Sequence, residues 1–274
     1  MLGVERRQML LEAVNRQGVL SIAQAERTLK VSRMTIHRDI EALSAEGLVK
    51  KIHGGVLALS PEGDALRPGR PARAPLPYSE RQPAASAAKK SIAKQLLELT
   101  QNARTLILDA STTAHVFGLE LAALRAQSSS KDTPKNGDDA NSVFVLCGGL
   151  PLFLELQPYH RHGLRCALHG GEPHPLTGSL VGPIALAGVR ELRADWAILS
   201  AAGVVEEEGM AFEGTPEESE IKRAALKSAR QAVLAIDKSK LGCSAPYRLA
   251  ALVEFSVVLT EDGPLNVSAK KKKR

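Results

Sequence analysis

The sequence predicts an α/β protein in which a small helical unit precedes a larger unit with a mostly parallel sheet. Three helical patterns and a hairpin fill about the first 60 residues, and helical patterns then alternate with short apolar strands from about residue 85. Between them lie six of the chain's 15 prolines. Such proline density predicts a linker without helix or strand. The predicted organisation is a first domain over 1–60, a linker over 61–84, a second domain over 85–265 and a basic tail over 266–274.

Composition excludes several classes of protein. The chain has 274 residues, 44% of them hydrophobic and only 3% aromatic, so the core must be mainly aliphatic. No apolar run approaches the roughly 18 residues that span a bilayer, and the N-terminus MLGVERRQML has no apolar signal region. The cysteines Cys147, Cys166 and Cys243 are odd in number and well separated. We therefore expect a cytoplasmic protein in a reducing setting, without a membrane partner.

Positive charge is concentrated at the two ends of the chain. Residues 1–60 carry nine basic against six acidic side chains, and residues 61–90 carry six against three. Residues 91–269 carry 16 basic against 21 acidic side chains, and the last five residues are all basic. This distribution predicts a polyanionic partner for the N-terminal region. For the tail, a solvated disordered end remains an equal alternative.

The first domain has the start and stop signals of three helices. The first helix is predicted over Val4–Gln17, and Gly18 ends it. The second begins at Ser21, where Ser-Ile-Ala-Gln is a capping box. The third begins after Ser32, a predicted N-cap, and ends at Gly47. Its buried stripe is predicted to be Ile36, Ile40 and Leu43.

The second and third helices, with the tight turn between them, form a helix-turn-helix, and a hairpin follows over residues 48–59. The face of the third helix opposite the apolar stripe is polar and basic, which suits base edges and phosphates in a DNA groove. The alternative is a plain three-helix bundle with solvated charges. The candidate DNA-contacting residues are Ser32, Arg33, Thr35, His37 and Arg38 on the helix, and Lys50, Lys51 and His53 on the hairpin.

The segment ERRQMLLEAVNRQGVLSIAQAERTLKVSRMTIHRDIEALSAEGLVKKIHGG resembles the DNA-binding domain of the deoxyribose-operon repressor (DeoR) family. VSRMTIHRDIEALSAEG is its most specific part, and the trailing HGG is also typical. The resemblance implies a winged helix-turn-helix that binds double-stranded operator DNA. The family usually has a second arginine where this chain has His37.

The second domain has the pattern of a Rossmann-like α/β fold. Helices are predicted over 85–100, 113–125 and 215–230, and the polar stretch 128–142 is predicted to be a loop insertion. Ligands of such sheets bind at the carboxyl ends of the strands. The predicted strands are Thr105–Leu108, Val143–Leu146, Leu164–Leu168, Trp196–Leu199, Ala232–Ile236 and Val257–Thr260.

Asp109 ends the first of these strands, and the hydroxyl residues Ser111, Thr112 and Thr113 follow at a helix start. Three hydroxyls and free helix N-terminal amides make a natural phosphate cradle, and Asp109 offers acceptors for sugar hydroxyls. The alternative is an ordinary helix N-cap.

The resemblance to the DeoR family continues over about residues 89–262, from KKSIAKQLLELTQNARTLILDASTT through HGG, LTGSLVGPIA and TPEESEIKRAAL to IDKSKLG. It implies a fold similar to ribose-5-phosphate isomerase and glucosamine-6-phosphate deaminase, with the chemistry lost and the sugar-phosphate pocket kept. The chain departs from the family at Ser111, commonly Gly, and at Cys147-Gly148, commonly Thr-Asn. The implied effector-binding residues are Asp109, Ser111, Thr112, Thr113, Gly170, Gly171, Glu218, Lys222 and Lys240.

Residue chemistry alone leaves alternatives for parts of this site. Glu218 and Lys222 stand four residues apart on one helix, so a surface ion pair worth about 0.3–0.5 kcal/mol is the simpler interpretation. Gly170 and Gly171 equally serve an ordinary turn. A metal site is disfavoured because its candidate ligands lack tight ligand spacing. Those ligands are Cys147, Cys166, His160, His162, His169 and His174.

These observations predict a DNA-binding transcriptional regulator, a repressor of carbohydrate metabolism that responds to a phosphorylated sugar. We expect a homo-oligomer, because one recognition helix covers one half-site, and no cofactor, metal or catalytic residue. One alternative is an isomerase or deaminase fused to a DNA-binding domain, with Glu218 or Asp109 as general base and Lys240 steadying an enediolate. The other is a DNA-binding protein whose second domain only oligomerises.

Overall fold

The computed structural model describes residues 3–17, 19–29, 31–45, 48–52, 55–58, 70–71, 77–128 and 142–267. The chain divides into two compact units, residues 1–67 and residues 68–274. Several predictions fall outside the described residues: the helix ends at Gly18 and Gly47, the wing residue His53, the centre of the loop insertion (129–141) and the basic tail from 268.

The N-terminal unit has helices around a small antiparallel sheet. Its elements are α1 (Gly3–Gln17), β1 (Val19–Ser21), α2 (Ile22–Leu29), α3 (Arg33–Ala45), β2 (Val49–Ile52) and β3 (Gly55–Ala58). Strand β3 lies between β1 and β2 and is antiparallel to both. The sequence predicted the helices and the hairpin. Strand β1 was missed, because three residues are too few to show an alternating pattern.

Both predicted helix starts in this unit are confirmed by their hydrogen bonds. The Ser21 N–H donates to Gln24 Oε1 at 2.9 Å, and the Gln24 N–H donates back to Ser21 Oγ at 3.2 Å. Ser32 Oγ accepts from the Thr35 N–H at 3.4 Å. These two caps fix where α2 and α3 begin, and therefore the turn that joins them.

Helix α3 is held against α1 by its buried stripe and by one ion pair. Ile36, Ile40 and Leu43 are almost completely buried in the apolar core of this unit. Beside them Asp39 is also buried, and both of its oxygens accept from the Arg6 guanidinium, at 2.5 and 3.0 Å. This bidentate pair restrains the rotation of α3 about its axis.

The C-terminal unit alternates helices and strands. Its helices are α4 (Tyr78–Arg81), α5 (Ser86–Leu99), α6 (Thr112–Ser128), α7 (Leu150–Leu156), α8 (Pro183–Arg190) and α9 (Pro216–Ser228). Its strands are β4 (Arg70–Pro71), β5 (Thr105–Leu108), β6 (Val143–Cys147), β7 (Leu164–Leu168), β8 (Glu172–Pro173), β9 (Leu180–Val181), β10 (Ala194–Leu199), β11 (Gly203–Val205), β12 (Met210–Glu213), β13 (Ala229–Ala235), β14 (Cys243–Ser244), β15 (Tyr247–Ala251), β16 (Val257–Thr260) and β17 (Gly263–Pro264).

A seven-stranded sheet in the order β17-β16-β13-β10-β5-β6-β7 is the centre of this unit. All its neighbours are parallel except the β16–β17 pair. The chain proceeds outward from β5 through β6 to β7, and on the other side from β10 through β13 to β16. The strand order therefore reverses between β5 and β10, which is where such sheets bind ligands.

Alternate residues of the strands feed two apolar layers. Leu106 and Leu108 pack with α5, α6 and α7 on one face of the sheet. Ile107 packs on the other face with α8, α9 and a smaller antiparallel sheet of β11, β12 and β15. Helices on both faces confirm the predicted Rossmann-like class. The smaller sheet was missed, because its strands are short and separated by turns.

The prediction that residues 61–84 form neither helix nor strand is wrong where the structure describes them. Residues 70–71 form β4, paired with β14, and Tyr78–Arg81 form the helical turn α4. Pro77 precedes this turn, where its fixed φ suits a helix start and its missing N–H costs nothing. Proline density is therefore a poor guide to residues 70–71 and 78–81, which do form regular structure.

Helix α8 lies close to the loop that follows β7. An added Cβ at Gly188 would lie 2.1 Å from the backbone carbonyl oxygen of His169. Only a residue without a side chain lets α8 approach this loop, which carries the predicted site residues Gly170 and Gly171.

We expect Gly188→Ala to destabilise the C-terminal unit by about 1–3 kcal/mol, because a backbone atom must move to admit the methyl group. Ala187→Ser, on the exposed side of the same helix, is the matched control and is expected to stay within about 0.5 kcal/mol. Urea unfolding followed by the fluorescence of Trp196, the chain's single tryptophan, measures both. Equal stabilities would contradict the close contact.

Candidate functional site

The polar face of α3 is open to solvent. Its first residue, Arg33, is exposed, and so is Arg38 five residues further on, whereas Thr35 and His37 are half-buried. Ser32 is exposed at the cap and its hydroxyl lies 3.0 Å from Thr35 Oγ1. The predicted DNA-contacting residues of the helix therefore share one accessible surface, opposite the buried stripe.

Met34 lies on this same surface with 69% of its area exposed. Met34 is neither basic nor hydroxyl-bearing, so it is not among the predicted DNA-contacting residues. An exposed apolar side chain on a helix of this kind suits the methyl group of thymine, so the polar pattern described the surface incompletely.

The hairpin of β2 and β3, called the wing, carries two of the predicted DNA-contacting lysines, Lys50 and Lys51. Lys51, on β2, donates to Glu41 Oε1 of α3 at 3.0 Å, so its charge is shared with the helix. Lys50 lies on the same strand, and only its backbone is described. Lys51 thus connects the wing to α3 in addition to any contact outside the protein.

Asp109 occupies the point where the strand order of the large sheet reverses. It follows β5, and its Oδ2 accepts from the backbone N–H of Ser200, which follows β10, at 2.8 Å. Its Oδ1 accepts from the Ser111 N–H at 2.9 Å. Both oxygens of this buried carboxylate are therefore engaged within the chain.

Lys222, from α9, compensates the charge of Asp109. Its Nζ lies 3.3 Å from Asp109 Oδ2, pairs with Glu213 Oε2 and donates to the Ser200 carbonyl at 3.0 Å. Burial alone would lower the pKa of Lys222, but the neighbouring carboxylates, Glu213 foremost, raise it above its ordinary value. The three side chains Asp109, Glu213 and Lys222, called the charge cluster below, link the ends of β5 and β12 to the middle of α9.

Glu218 is buried one turn before Lys222 and is held by hydroxyls. Its carboxylate accepts from Ser179 Oγ at 2.7 Å and from Thr215 Oγ1 at 3.0 Å. Burial would raise the pKa of Glu218, but the charge of Lys222 and the hydroxyl hydrogen bonds lower it overall. The surface ion pair considered for Glu218 and Lys222 is wrong, because both are buried and Lys222 pairs with other carboxylates.

The hydroxyl run after β5 begins with a helix cap. Ser111 Oγ accepts from the Ala114 N–H at 3.1 Å, so the N-cap alternative describes this residue. Thr112 and Thr113 are buried in the first turn of α6. The phosphate cradle predicted for these residues stays a prediction.

Three further predicted effector residues lie at the same edge of the sheet. Gly170 and Gly171 follow β7 with φ of 83° and 103°, and an added Cβ at Gly171 would lie 2.4 Å from the Val181 carbonyl oxygen. These glycines therefore serve a close approach within the chain. Lys240 is half-buried in a short helical turn after β13.

A narrow cleft lies at the carboxyl ends of β5 and β6, and its empty space of about 200 Å³ includes open solvent. Of the predicted effector residues, Asp109 and Ser111 line it. Its other walls include two residues that the sequence did not point to, Tyr78 and His115. The lining residues are Tyr78, Asp109, Ala110, Ser111, His115, Gly149, Pro151, Leu152 and Gly178.

Tyr78 and His115 contact each other across this cleft. The Tyr78 hydroxyl lies 2.5 Å from His115 Nδ1, and His115 Nε2 lies 3.3 Å from Glu155 Oε1. Burial lowers the pKa of His115 below its ordinary value, although Glu155 opposes the shift. The Nε2–Oε1 approach does not have hydrogen-bond geometry, but the nearby Glu155 carboxylate favours a neutral ring with its proton on Nε2. Nδ1 is then free to accept from the Tyr78 hydroxyl.

The structure also bears on the metal alternative and on the three cysteines. Among the residues that the structure describes, no group of three or more His, Cys, Asp or Glu side chains is placed to hold a metal ion. Cys147, Cys166 and Cys243 are free thiols. Burial raises the pKa of Cys147 far above its ordinary value, which is contrary to what a nucleophilic cysteine requires.

Within the described ranges, no helix has both the length and the apolar character needed to cross a membrane.

An exposed basic helix within a helix-turn-helix, on the same chain as an α/β unit with a polar cleft at its switch point, defines a DNA-binding regulator with a sensor domain. Comparison with known proteins gives the same class. A family description of the DeoR-like helix-turn-helix domain matches residues 6–62, and one of the DeoR C-terminal sensor domain matches residues 135–262.

The chain belongs to the DeoR family of transcriptional regulators. It is 31% identical to the uncharacterized regulator YgbI of Escherichia coli, over 96% of this chain and 91% of that protein. It is 25% identical to the glycerol-3-phosphate regulon repressor of Escherichia coli, over 95% of this chain and 91% of the repressor.

Solved structures show only partial likeness. The ribose 5-phosphate isomerase A of Methanocaldococcus jannaschii is 17% identical, with a TM-score of 0.39 over 58% of this chain and 55% of the enzyme. The eIF2B beta subunit of Chaetomium thermophilum is 14% identical, with a TM-score of 0.41 over 66% of this chain and 50% of that subunit.

We expect Lys222→Met to destabilise the C-terminal unit by about 3–5 kcal/mol, because two buried carboxylates lose their counter-charge. The double variant Lys222→Met with Glu213→Gln is expected to lose less, since it removes one of the uncompensated charges. Urea unfolding at pH 7 followed by Trp196 fluorescence compares them. A loss below about 1 kcal/mol for the single variant would mean that the contacts of Lys222 contribute no more than a weak surface ion pair does.

Proposed function

We propose that this protein is a repressor of carbohydrate metabolism that binds operator DNA through α3 and releases or tightens that contact in response to a phosphorylated sugar. The observation that carries the proposal is the exposed basic face of α3 over a fully buried stripe. Family membership supports a regulatory role for both units, since each unit matches its own DeoR description.

In the DNA complex, Arg33 and Arg38 are proposed to contact guanine edges or phosphate oxygens through their forked donors. Ser32, Thr35 and His37 supply shorter-range hydrogen bonds from the same face. Lys50 and His53 contact the DNA backbone from the wing. Lys51 has two roles in this proposal, because it also fixes the wing to Glu41.

The names of two relatives support the chemistry of the effector. One is a glycerol-3-phosphate regulon repressor, and another, from Staphylococcus epidermidis, is a lactose phosphotransferase system repressor that is 26% identical over 97% of this chain. One name concerns a polyol phosphate and the other a sugar. We propose that the effector of this chain is a phosphorylated sugar or polyol and lies at the carboxyl edge of the large sheet. Its proposed contacts are Asp109, Ser111, Thr112, Thr113, Gly170, Gly171, Glu218, Lys222 and Lys240.

The contacts of the buried charges favour a sensor over an enzyme. A general base must reach a substrate proton and take it up, whereas Asp109 and Glu218 are fixed as acceptors by hydrogen bonds from the chain and keep lone pairs for an effector hydroxyl. Lys222 is likewise held between two carboxylates. We therefore infer that the chain binds its effector without transforming it.

The proposed regulator acts as an oligomer in the cytoplasm. One α3 covers one half-site, so we propose that two or more copies act together on a two-fold operator. Three free thiols are compatible with the reducing cytoplasm, where operator DNA and phosphorylated sugars occur together.

We expect Arg38→Ala to weaken operator binding by about 1–3 kcal/mol, because a charge-assisted contact to a base or phosphate is lost. Lys94→Ala, which removes one exposed positive charge from α5, is the control and is expected to bind as the parent does. Gel-shift titrations on an operator selected in vitro measure both at one salt concentration. Unchanged affinity of Arg38→Ala would remove it from the DNA-facing surface.

A panel of ribose 5-phosphate, glucosamine 6-phosphate and glycerol 3-phosphate tests the effector. A ligand present at about 100 times its Kd is expected to stabilise the folded protein by about 2.7 kcal/mol, seen as a higher Tm of the Trp196 fluorescence transition. Ala110→Leu fills the cleft and is expected to remove this shift. Ala187→Leu makes the same substitution on the exposed side of α8 and is expected to keep it.

If no panel compound shifts the Tm, the assigned effector class is wrong. Conversion of a panel compound into product by the purified protein would instead favour the isomerase or deaminase alternative.

A further inference from the structure

A short segment at the start of the C-terminal unit covers the cleft. It comprises Pro77, the helical turn α4 and the turn over 82–85, and it is called the strap below. Ala85 ends it with φ of 51°, the one left-handed residue other than glycine among those described. The chain therefore turns sharply between the strap and α5.

Three side chains attach the strap to the rest of the unit. Tyr78 reaches His115 on α6, and Arg81 Nη2 donates to the Thr177 carbonyl at 3.2 Å. Lys89, from α5, donates to the carbonyls of Arg81 at 2.5 Å, of Gln82 at 3.4 Å and of Ala84. These carbonyls are the ones that a short helical turn leaves without partners.

The strap has little apolar packing of its own. None of the four residues of α4 is buried, and residues 82–87 are all exposed. Segments with few buried apolar contacts open at a lower free energy than the core around them. The strap is thus held by a few hydrogen bonds over a core that is much more stable.

The contact between Tyr78 and His115 is one that a ligand hydroxyl can replace. His115 Nδ1 is an acceptor in the favoured tautomer, so it takes a hydroxyl hydrogen, whether from tyrosine or from a sugar. Asp109 and Ser111, which also line the cleft, already bond within the chain: both Asp109 oxygens accept backbone N–H groups, and Ser111 Oγ accepts from the Ala114 N–H. His115 is therefore the cleft residue whose partner is itself movable.

The strap is also continuous with the segment that leads to the DNA-binding unit. Pro77 stands ten residues after Arg67, the last residue of the N-terminal unit. Between them, residues 70–71 pair with β14 in the C-terminal unit. A displacement of Tyr78 therefore acts on the DNA-binding unit by also altering this anchored part of the connection. A ligand alters DNA binding only through an element that differs between the free and the occupied state, and the strap satisfies that condition.

We propose that His115 binds a hydroxyl of the effector and that this hydroxyl displaces Tyr78, so that the strap reports occupancy of the cleft to the DNA-binding unit. The inference rests on the function proposed above, since it names the residues and the moving element of the same site. It assigns ligand contact to His115 and a competing, regulatory contact to Tyr78. Neither residue was among the predicted effector contacts.

Hydrogen–deuterium exchange of the full chain tests the strap directly, with the panel compound that gives the largest Tm shift as the probe. Binding is expected to slow exchange at residues 109–115 and to accelerate it at residues 78–85. Tyr78→Phe removes only the hydroxyl and is expected to accelerate exchange of the strap about fivefold without ligand, the factor for one lost hydrogen bond. It is also expected to tighten ligand binding by a similar factor, because no hydroxyl must then be displaced.

Tyr247→Phe is the matched control, because Tyr247 loses the same hydroxyl from the exposed end of β15. It is expected to leave exchange, ligand affinity and DNA response unchanged. His115→Phe keeps a ring of similar size in the cleft and is expected to weaken the probe at least about fivefold, while the melting curve still shows a cooperative transition.

The outcomes separate the two levels of the proposal. If the probe protects residues 109–115 while strap exchange stays unchanged and Tyr78→Phe behaves as the parent does, the strap inference is wrong and the sensor function stands. If no panel compound binds, both are wrong. Accelerated strap exchange with ligand, and a Tyr78→Phe variant that responds on DNA at lower ligand concentration, support the inference.

Discussion

The C-terminal unit depends on the compensation of buried charge at the point where its strand order reverses. Two carboxylates and one ammonium group are removed from water there, which is costly for each group alone. The cost is offset because Lys222 reaches Asp109, Glu213 and the Ser200 carbonyl at once. Since Asp109 also fixes the Ser200 and Ser111 amides, the same cluster sets the spacing of the loops after β5 and β10. The shape of the cleft beside these loops therefore depends on the charge cluster.

Ion pairs also fix the geometry of the N-terminal unit, where they orient helix α3. The bidentate Arg6–Asp39 pair and the buried stripe orient α3, and the Lys51–Glu41 contact ties the wing to it. The two ion pairs engage the acidic residues Asp39 and Glu41 of α3 within the unit, whereas Arg33 and Arg38 remain on the exposed face. The acidic residues of this helix thus fix its orientation, and its arginines form the basic surface exposed to solvent.

Much of the fold was predictable from the sequence, because helix caps, apolar periodicity and short apolar strands are local signals. Strands β5, β7 and β16 have the predicted bounds, and the Ser21 and Ser32 caps were identified from their spacing. The partners of buried charges were not predictable, since Lys222 and Glu213 meet only after α9 and the small sheet pack together. Spacing along one helix suggested Glu218 as the partner of Lys222, whereas packing supplied two others. Tyr78 was not predicted because it lies in the proline-rich stretch that was assigned to a linker. His115 was not predicted because it belongs to no motif, and its position one helical turn after Ser111 was the only available signal.

The strap has a consequence for the construction of chimeric regulators. A boundary drawn at the end of the proline-rich stretch would join a foreign DNA-binding unit directly to α5 and discard Tyr78 and Arg81. The resulting hybrid would keep every strand of the large sheet, yet its cleft would lack one wall and Lys89 would lose the carbonyls it caps. Exchange of units between relatives therefore has to transfer residues 77–85 together with the sheet, with the fusion point upstream of Pro77.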